Sequence, residues 1–346
     1  MSNSQIHASW KSPSNIALVK YWGKKGIQLP ANPSISFTLN NAVTETKVTV
    51  TEKQSDGVSL ELYFEGERNE AFESKVLKFL IQAEQGFSWL KSSHLEIHSS
   101  NTFPHSSGIA SSASAFSALA LCLCSIDQQI GGLSEKDFFE KASFWSRIGS
   151  GSACRSVYGG FNLWGQTDAL IGSSDEYAVN IDDIVHPIFK GFKDTILIVE
   201  KGKKAVSSTK GHALLDTHPF AELRYKAGYK NTASLLEILE SGDLDGFVSL
   251  VESEALMLHA LMMTSPTPFI LMKPNTLAII EKIQDFRNQT GLHLLFTLDA
   301  GANVHLLNPE NEDDKVQDFI KSELVGYCQN ASYLCNAVGK GPVKII

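Results

Sequence analysis

One stretch of the chain constrains the fold more than any other: FPHSSGIASSASAF, from Phe103 to Phe116. Pro104 and Gly108 bend the backbone, and the serine and alanine side chains around them are too small to cover its N–H groups. The pattern predicts a helix from about Ile109, so the free N–H groups and positive dipole end of that helix face the same place. Such a site binds anions, usually phosphate.

A second interpretation of this stretch is equally good on local grounds: a serine-capped helix that packs tightly against a neighbour. The pattern GxxxxGK[ST] is absent from the sequence, so the loop is not a Walker-type phosphate loop. The serine hydroxyls could also act as donors or as a magnesium ligand. His105, at the tip of the loop, is expected to be structural or a minor nucleotide contact.

The composition is that of a globular protein with an acidic balance. Hydrophobic residues make up 43% of the 346 residues and the formal net charge is −8, whereas nucleic-acid-binding proteins usually have a basic footprint. The first residues, MSNSQIHASWKS, lack the apolar core of a signal peptide, and no apolar run reaches the roughly 18 residues of a membrane span. The five cysteines form no CxxC pair. We therefore expect a cytoplasmic protein with reduced thiols and without nucleic acid or a membrane as partner.

Hydrophobic periodicity predicts strands and helices in mixed order, without the strict alternation of a doubly wound sheet. In the first half, NIALVK, TKVTVTE, VSLELYFEG, HLEIHSS and GGFNLWG are predicted strands, and NEAFESKVLKFLIQAEQ and SEKDFFEKASFWSRIG are predicted helices. Ser134 is the expected N-cap of the latter helix, with Asp137 at N3. The second half is richer in helix, and HLLFTLDAGANVHLL predicts a hairpin. We expect an α+β fold of two lobes, 1–190 and 191–346.

Two further stretches contain polar groups suited to an anionic ligand. In SNIALVKYWGKK, Lys20 ends an apolar strand and is followed by Tyr21 and Lys24, a set that suits a phosphorylated or carboxylated ligand. Taken alone, a strand end with solvated lysines is the commoner explanation. In RIGSGSACRS, glycines alternate with serines, and Arg155 can bind a carboxylate or phosphate with its guanidinium fork. A surface arginine is the alternative there.

Asp299 stands where an apolar strand meets a tight glycine turn, in LDAGAN. A carboxylate held at such a point can act as a base or an orienting group, although an aspartate that caps its own turn is the commoner explanation. The basic, hydroxyl-rich segment KGKKAVSSTKG, from Lys201 to Gly211, is either a second anion site or a solvated loop.

The order of these motifs along the chain resembles that of the GHMP kinase superfamily. Within it, NIALVKYWGK and GSGSACRS are similar to the mevalonate diphosphate decarboxylases, and the similarity extends from Asn15 to Gly341. The resemblance implies a two-lobed GHMP kinase fold, with a ribosomal-protein-S5-like N-terminal lobe, a ferredoxin-like C-terminal lobe and a central cleft. It implies that MgATP phosphorylates the 3-hydroxyl of mevalonate 5-diphosphate, after which phosphate and CO2 leave to give isopentenyl diphosphate. It also implies a homodimer.

The resemblance assigns roles to the matching positions of this chain. Asp299 would contact the 3-hydroxyl, Lys20 would lie beside Asp299 and the transferred phosphate, and Arg155 would bind the substrate carboxylate. The substrate diphosphate would be bound by Tyr21, Lys24, Ser150, Ser152, Ser208 and Thr209. The ATP phosphates would be bound by the loop residues Pro104, Ser107, Gly108, Ser111 and Ser112. No position is assigned to the metal.

The chain departs from the family at several positions. They are Lys25 and Gly26, where an acidic residue is common, His105 and Ser106 for Thr and Ala, Ala302 for Pro, and Thr209 for an arginine of some bacterial members. The alternatives are a decarboxylase of mevalonate 5-monophosphate, a mevalonate 3-kinase that releases no CO2, and a non-catalytic ATP sensor. The presence of Lys20, Arg155 and Asp299 together argues against the kinase, and that of Asp299 and Lys20 argues against the sensor.

Overall fold

The computed structural model describes residues 6–104, 109–135, 137–202 and 208–346, without the side chains of 208–210. The first lobe contains, in chain order, β1 (Ile6–Ala17), β2 (Lys24–Lys25), β3 (Leu29–Pro30), β4 (Ser34–Glu52), β5 (Ser59–Phe64), β6 (Glu67–Arg68), α1 (Glu70–Ala83), β7 (Ser93–Asn101), α2 (Ser111–Gln129), α3 (Phe138–Gly149), β8 (Phe161–Trp164) and β9 (Ala178–Asn180). After α4 (Pro187–Lys190) follow β10 (Lys193–Leu197), α5 (Ser208–Ala213), α6 (Ala221–Ser241), α7 (Leu244–Met263), α8 (Pro274–Thr290), β11 (Leu295–Leu298), β12 (Val304–Asn308), α9 (Asp313–Phe319), β13 (Tyr333–Ala337) and β14 (Val343–Lys344).

A mixed sheet forms the first lobe. Its strands lie in the order β14-β1-β4-β7-β5-β6, and β8 and β9 extend it from β4. The antiparallel pairing of β1 and β4 shifts register between Pro13 and Asn15, as at a β-bulge. Helix α2 packs on β1 and β4, and its fully buried Ala113, Ala118 and Ala120 allow a close approach to the sheet. The small residues of the predicted helix therefore serve its packing.

The second lobe contains an antiparallel sheet in the order β11-β12-β10-β13. In chain order it is a strand, a set of helices, two strands, a helix and a strand, which is the ferredoxin-like βαββαβ arrangement. The predicted α+β fold and the predicted hairpin, now β11 and β12, are confirmed. A lobe boundary after residue 190 stays a prediction; the last strand, β14, pairs with β1 of the first lobe.

A continuous apolar core joins the two lobes. Ile16 and Phe37, from β1 and β4, belong to the same buried cluster as Phe189 of α4 and Phe247 of α7. The rings of Phe189 and Phe247 have their centroids 4.8 Å apart. Because separating the lobes would expose this apolar surface to water, the core fixes where the end of β1 lies relative to the second sheet.

Helix α3 begins later than the sequence predicts. It starts at Phe138, and Asp137 occupies the N-cap position, so the prediction of Ser134 as N-cap is wrong. The two side chains do interact: Ser134 Oγ accepts the N–H of Asp137 at 3.3 Å and donates to Asp137 Oδ2 at 2.7 Å. These bonds belong to a separate turn before the helix, because serine and aspartate side chains compete for backbone groups.

Within the described ranges, α7 is the helix that is long and apolar enough by composition to cross a membrane. Half of its most apolar 18 residues are buried inside the fold. Its buried residues include Glu252, Glu254 and His259, which are polar side chains with partners in the protein. This burial is that of a core helix in a globular lobe.

We predict that Gly149→Ala destabilises the first lobe. Gly149 ends α3, and a Cβ there would lie 2.1 Å from Cδ1 of Phe116 in α2. Overpacking of this kind costs about 1–3 kcal/mol. Gly326→Ala is the matched control, because a Cβ at Gly326 would have no neighbouring atom of the described residues within 4 Å. Urea denaturation should give a lower free energy of unfolding for Gly149→Ala alone, and equal values for the two variants would contradict this packing.

Candidate active site

A cavity of about 410 Å³ lies between the lobes. The first lobe contributes the segment after β1, the first turn of α2 and the segment after α3. The second lobe contributes His212 of α5, Leu258 of α7, and Asp299 and Ala300, which follow β11. Strand ends and a helix start therefore meet at this cavity, and side chains from both lobes line it.

The ion pair between Lys20 and Asp299 joins the lobes across the cavity. Lys20 Nζ lies 3.3 Å from Asp299 Oδ1, and the two side chains are 2% and 25% exposed. Nζ also donates to the carbonyl of Ala17 at 2.6 Å. Burial lowers the pKa of Lys20, and the charge of Asp299 opposes this shift. An ammonium held beside a carboxylate in this way can neutralise negative charge on a phosphoryl group.

Arg155 is a buried cation without a carboxylate partner in the described part of the chain. It lies in the 3₁₀ turn Gly151–Ser156. Its Nη1 donates to Ser34 Oγ, its guanidinium is 6.0 Å from the ring of Trp164, and its Nε has no hydrogen-bond partner there. Burial lowers the pKa of Arg155. Because an unpaired buried charge costs free energy, the site favours an anion beside this guanidinium.

The hydroxyl of Tyr21 is a second buried polar group without a partner among the described residues. The ring packs against Trp164 and His212, with centroids 4.6 and 4.4 Å away. Burial raises the pKa of Tyr21, so the hydroxyl keeps its proton and can donate to an anion. A Cβ at Gly151 would lie 2.9 Å from this hydroxyl, so the glycine leaves the space beside it open.

His212 is a neutral ring in the same part of the cavity. Its Nδ1 accepts the backbone N–H of Gly23 at 3.0 Å, which puts the ring proton on Nε2. The ring lies between Tyr21 and Trp22, with centroids 4.4 and 4.8 Å away. Burial lowers the pKa of His212 to about 3, and Lys24 adds to the shift. At neutral pH this imidazole is therefore an uncharged N–H donor.

The first turn of α2 opens on the cavity. Ala110 precedes the helix in the left-handed region, with a φ of 46°. Ser111 and Ser112 line the cavity, and Ser112 is exposed. The Ser150 hydroxyl donates to Ser112 Oγ at 3.5 Å. An open helix start with hydroxyls on it fits the anion-binding interpretation of this stretch better than a tightly packed cap.

Two lysines lie at the same end of the cavity. Lys24 and Lys75 both line it, and burial lowers the pKa of each. Lys75, with Phe72, Ser111 and Ser112, also borders an adjoining pocket of about 110 Å³ whose other walls are mostly apolar. The cationic end of the cavity therefore continues into an apolar pocket.

The cavity brings together most of the residues that the sequence predicts for a site. Its lining includes Lys20, Tyr21, Lys24, Ser111, Ser112, Ser150, Ser152, Arg155 and Asp299. Pro104 is described but is not part of this lining. His105, Ser107 and Gly108, and the side chains of Ser208 and Thr209, lie outside the described residues.

Gln28, Lys75 and His212 also line the cavity, and no sequence motif predicts them. His212 directly follows the segment KGKKAVSSTKG, so extending that segment by one residue would have found it. Lys75 is one lysine on an amphipathic helix and gives no signal of its own. Among the described residues, no group of three or more His, Cys, Asp and Glu side chains is placed to hold a metal ion.

Comparison with known proteins agrees with this architecture. A family model described as diphosphomevalonate decarboxylase-like N-terminal domain matches residues 12–178, and one described as mevalonate 5-diphosphate decarboxylase C-terminal domain matches residues 195–341. Diphosphomevalonate decarboxylase of Candida albicans is 30% identical over 90% of this chain and 87% of its own length.

Solved structures match over almost the whole length. The mevalonate diphosphate decarboxylase of Staphylococcus aureus has a TM-score of 0.84 and 29% identity, covering 98% of each chain. A structure described as "MDDEF in complex with MVAPP, AMPPCP and Magnesium" has a TM-score of 0.84 and 26% identity, covering 99% of each chain. The two-lobed fold and its cleft are those of the GHMP kinase class. Within that class, the chain belongs to the family of diphosphomevalonate decarboxylases and is an enzyme.

We predict that the protein loses stability as the pH falls below about 6.5, the ordinary histidine pKa. Burial lowers the pKa of His212 to about 3 and that of His259 to about 4, so below pH 6.5 the unfolded chain binds protons that the folded chain does not. Each such proton lowers the free energy of unfolding by about 1.4 kcal/mol per pH unit. The loss therefore grows from pH 6.5 down towards these lowered values.

Urea denaturation between pH 7 and pH 4.5 measures this slope. His212→Gln should make it shallower, because one of the two groups is removed. His7→Gln changes an exposed histidine and should leave the slope as in the wild type. A His212→Gln slope equal to that of wild type would contradict the assignment of a buried, neutral His212.

Proposed function

We propose that the protein catalyses the ATP-dependent decarboxylation of mevalonate 5-diphosphate to isopentenyl diphosphate, in the mevalonate pathway of isoprenoid biosynthesis. The observation that carries the proposal is one arrangement of charges: Lys20 paired with Asp299, and Arg155 buried nearby without a carboxylate partner in the described chain. A substrate carboxylate would supply the anion that Arg155 lacks, and the substrate hydroxyl and the transferred phosphoryl group would lie against the Lys20–Asp299 pair.

In the first step, Asp299 orients the 3-hydroxyl through a hydrogen bond and takes its proton. The 3-oxygen forms a bond to the γ-phosphorus of ATP while the bond between that phosphorus and the leaving oxygen of ADP breaks. Lys20 neutralises charge on the transferred phosphoryl oxygens, which is the main contribution of a protein to such a transfer. Its 3.3 Å contact with Asp299 supports a site where one pair serves both the nucleophile and the phosphoryl group.

In the second step, the bond between C3 and the new phosphate breaks, and so does the bond between the carboxyl carbon and C2. The electrons of the latter form the C2–C3 double bond, and phosphate and CO2 leave. Arg155 binds the carboxylate in the ground state, which by itself would slow the loss of CO2. We therefore assign Arg155 to positioning the carboxylate, and the departure of the 3-phosphate to driving the decarboxylation.

The substrate diphosphate is proposed to lie against donors of three segments: the one after β1, the one after α3, and α5. They are Tyr21, Lys24, Ser150, Ser152, Ser208 and Thr209, and we add His212. The unpartnered Tyr21 hydroxyl and the neutral His212 ring support this assignment. Both supply N–H or O–H donors without adding charge, which suits an anion already faced by Lys24.

ATP is proposed to bind at the first turn of α2. Its phosphates would accept hydrogen bonds from Pro104–Ser112 loop groups, including Ser107, Gly108, Ser111 and Ser112, with Lys75 nearby. The adjoining apolar pocket of about 110 Å³ would take the adenine base, because it shares Ser111 and Ser112 with the main cavity.

Magnesium, when bound, neutralises phosphate charge. Among the described residues that line the cavity, Asp299 is the one carboxylate, so the nucleotide oxygens and a serine hydroxyl would hold the magnesium ion.

We further propose a cytoplasmic homodimer that binds neither nucleic acid nor membrane. The cysteines support a cytoplasmic location. All five are free thiols and four of them are buried, as in proteins of reducing compartments. The net charge of −8 argues against nucleic acid. Residues 1–190 and 191–346 are proposed as the two lobes.

The experiment that tests the function supplies the purified protein with MgATP and one of three substrates, while ADP and CO2 are both measured. The substrates are mevalonate, mevalonate 5-phosphate and mevalonate 5-diphosphate. We expect ADP and CO2 in equal amounts from the diphosphate. ADP without CO2 would make the protein a kinase, CO2 from the monophosphate alone would change the substrate, and neither product would favour a sensor.

We predict that Asp299→Asn lowers turnover by at least about two orders of magnitude, the scale of general acid–base catalysis. Nucleotide binding, measured by calorimetry with a non-hydrolysable ATP analogue, should be retained, because Asp299 does not line the proposed adenine pocket. Asp314→Asn, which removes an exposed carboxylate, is the control and should leave turnover unchanged. Turnover of Asp299→Asn within a few-fold of wild type would exclude the role assigned to Asp299.

A further inference from the structure

Helix α7 contacts the backbone of both members of the Lys20–Asp299 pair. Glu254 Oε2 accepts the backbone N–H of Lys20 at 2.8 Å. Five residues further along the same helix, His259 Nε2 lies 3.1 Å from the backbone carbonyl of Asp299. Lys20 belongs to the first lobe and Asp299 to the second, so one helix holds the chain at both ends of the pair.

The carboxylate of Glu254 is fully buried and is the shared acceptor of a hydrogen-bond network. Besides the Lys20 N–H, it accepts Arg224 Nη1 at 2.7 Å, Arg224 Nη2 at 2.8 Å and Asn231 Nδ2 at 2.6 Å. Arg224 Nη2 also donates to the carbonyl of Lys20 at 2.7 Å. The N–H and the C=O of Lys20 are therefore both held by the same buried ion pair, between α6 and α7.

This network begins where strand pairing ends. The N–H groups of Leu18 and Val19 still bond to the carbonyl of Ile35. Lys20 comes next, and its N–H goes to Glu254 instead of to a strand. Asn32 Nδ2 gives the Lys20 carbonyl a further hydrogen bond, at 3.1 Å. The backbone from which the Lys20 side chain leaves is thus fixed by Glu254 and Arg224 of the second lobe, together with Asn32 of the first.

His259 has the corresponding role at Asp299, the other member of the ion pair. A carbonyl can only accept, so the contact with Asp299 requires the proton on Nε2 of His259. The same carbonyl accepts the N–H of Gly301 at 2.7 Å, within the turn that follows β11. His259 is 1% exposed, and burial lowers its pKa to about 4, so the ring is neutral and keeps this single donor at physiological pH.

We propose that Glu254 and His259 are positioning residues that set the distance between the Lys20 ammonium and the Asp299 carboxylate. Neither side chain lines the cavity, so each acts through the backbone of the residue it holds. The proposal rests on the proposed function, because it assigns to the pair the chemistry described above. A misplacement of about 1 Å in such a pair can cost about 100-fold in rate, so a helix that fixes both backbones controls turnover more than binding.

The first test is Glu254→Gln, compared with Glu252→Gln in the same helix. Glu252 also forms an ion pair, partly buried, with Arg287 at 2.7 and 3.0 Å, but its remaining partner is the N–H of Phe296 within β11. Both variants should lower the thermal midpoint. We expect kcat to fall at least about tenfold in Glu254→Gln, with KM for mevalonate 5-diphosphate within about threefold of wild type, and kcat of Glu252→Gln to stay within about threefold.

The second test is a loss and rescue at His259. His259→Leu removes the donor and should lower kcat at least about tenfold. His259→Gln keeps an N–H near the position of Nε2 and should return kcat to within about threefold of wild type. A residue with only a packing role would not be rescued selectively by the variant that restores the donor.

Equal kcat losses in Glu254→Gln and Glu252→Gln, or an unaltered kcat in His259→Leu, would overturn the proposal. Crystal structures of Glu254→Gln and His259→Leu give a readout that does not depend on activity: the Nζ–Oδ1 distance should exceed the 3.3 Å of the native pair, and an unchanged distance would overturn it too. If the wild-type protein releases no CO2, the proposed function fails, while this distance still decides the positioning role.

Discussion

The structure depends on an ammonium group buried between two lobes. Lys20 is 2% exposed, and a charge in that position is tolerated only if an opposite charge and hydrogen-bond acceptors are close. Asp299 and the carbonyl of Ala17 supply them. Since Asp299 comes from the other lobe, the electrostatics of this one side chain require the lobes to meet in a single arrangement, and the shared apolar core holds them there.

Among the described residues that line the cleft, positive charge exceeds negative charge, although the whole chain is acidic. Lys24, Lys75 and Arg155 line the cavity together with the Lys20–Asp299 pair, while the net charge is −8. Burial lowers the pKa of each of these three cations, which means that holding these charges together in the cleft costs electrostatic free energy. An anionic substrate relieves it, and the local field attracts such a substrate from solution.

The sequence predicts the parts of this site that lie in short motifs, and it misses those that depend on packing over long distances. Asp299 could be placed because an apolar strand and a glycine turn surround it, and the β11–β12 hairpin is confirmed. No local pattern relates Glu254 to Lys20, because the two are 234 residues apart. Nor does any local pattern distinguish the role of Glu254 from that of Glu252 on the same helix. The predicted start of α3 was wrong for a local reason: Ser134 and Asp137 can close a turn through their side chains without starting a helix. The roles of the individual site residues stay predictions.

The return of the chain to its first strand has a mechanical consequence. β14 pairs with β1 through Lys11 and Val343, and the N–H of Ile345 bonds to the carbonyl of Ser9 at 2.8 Å. A bridge between Leu39 and Val338 joins the two lobes near the same end of the chain. Twisting or sliding of one lobe past the other would first have to break these backbone hydrogen bonds and expose the shared apolar core to water, so the cleft resists shear.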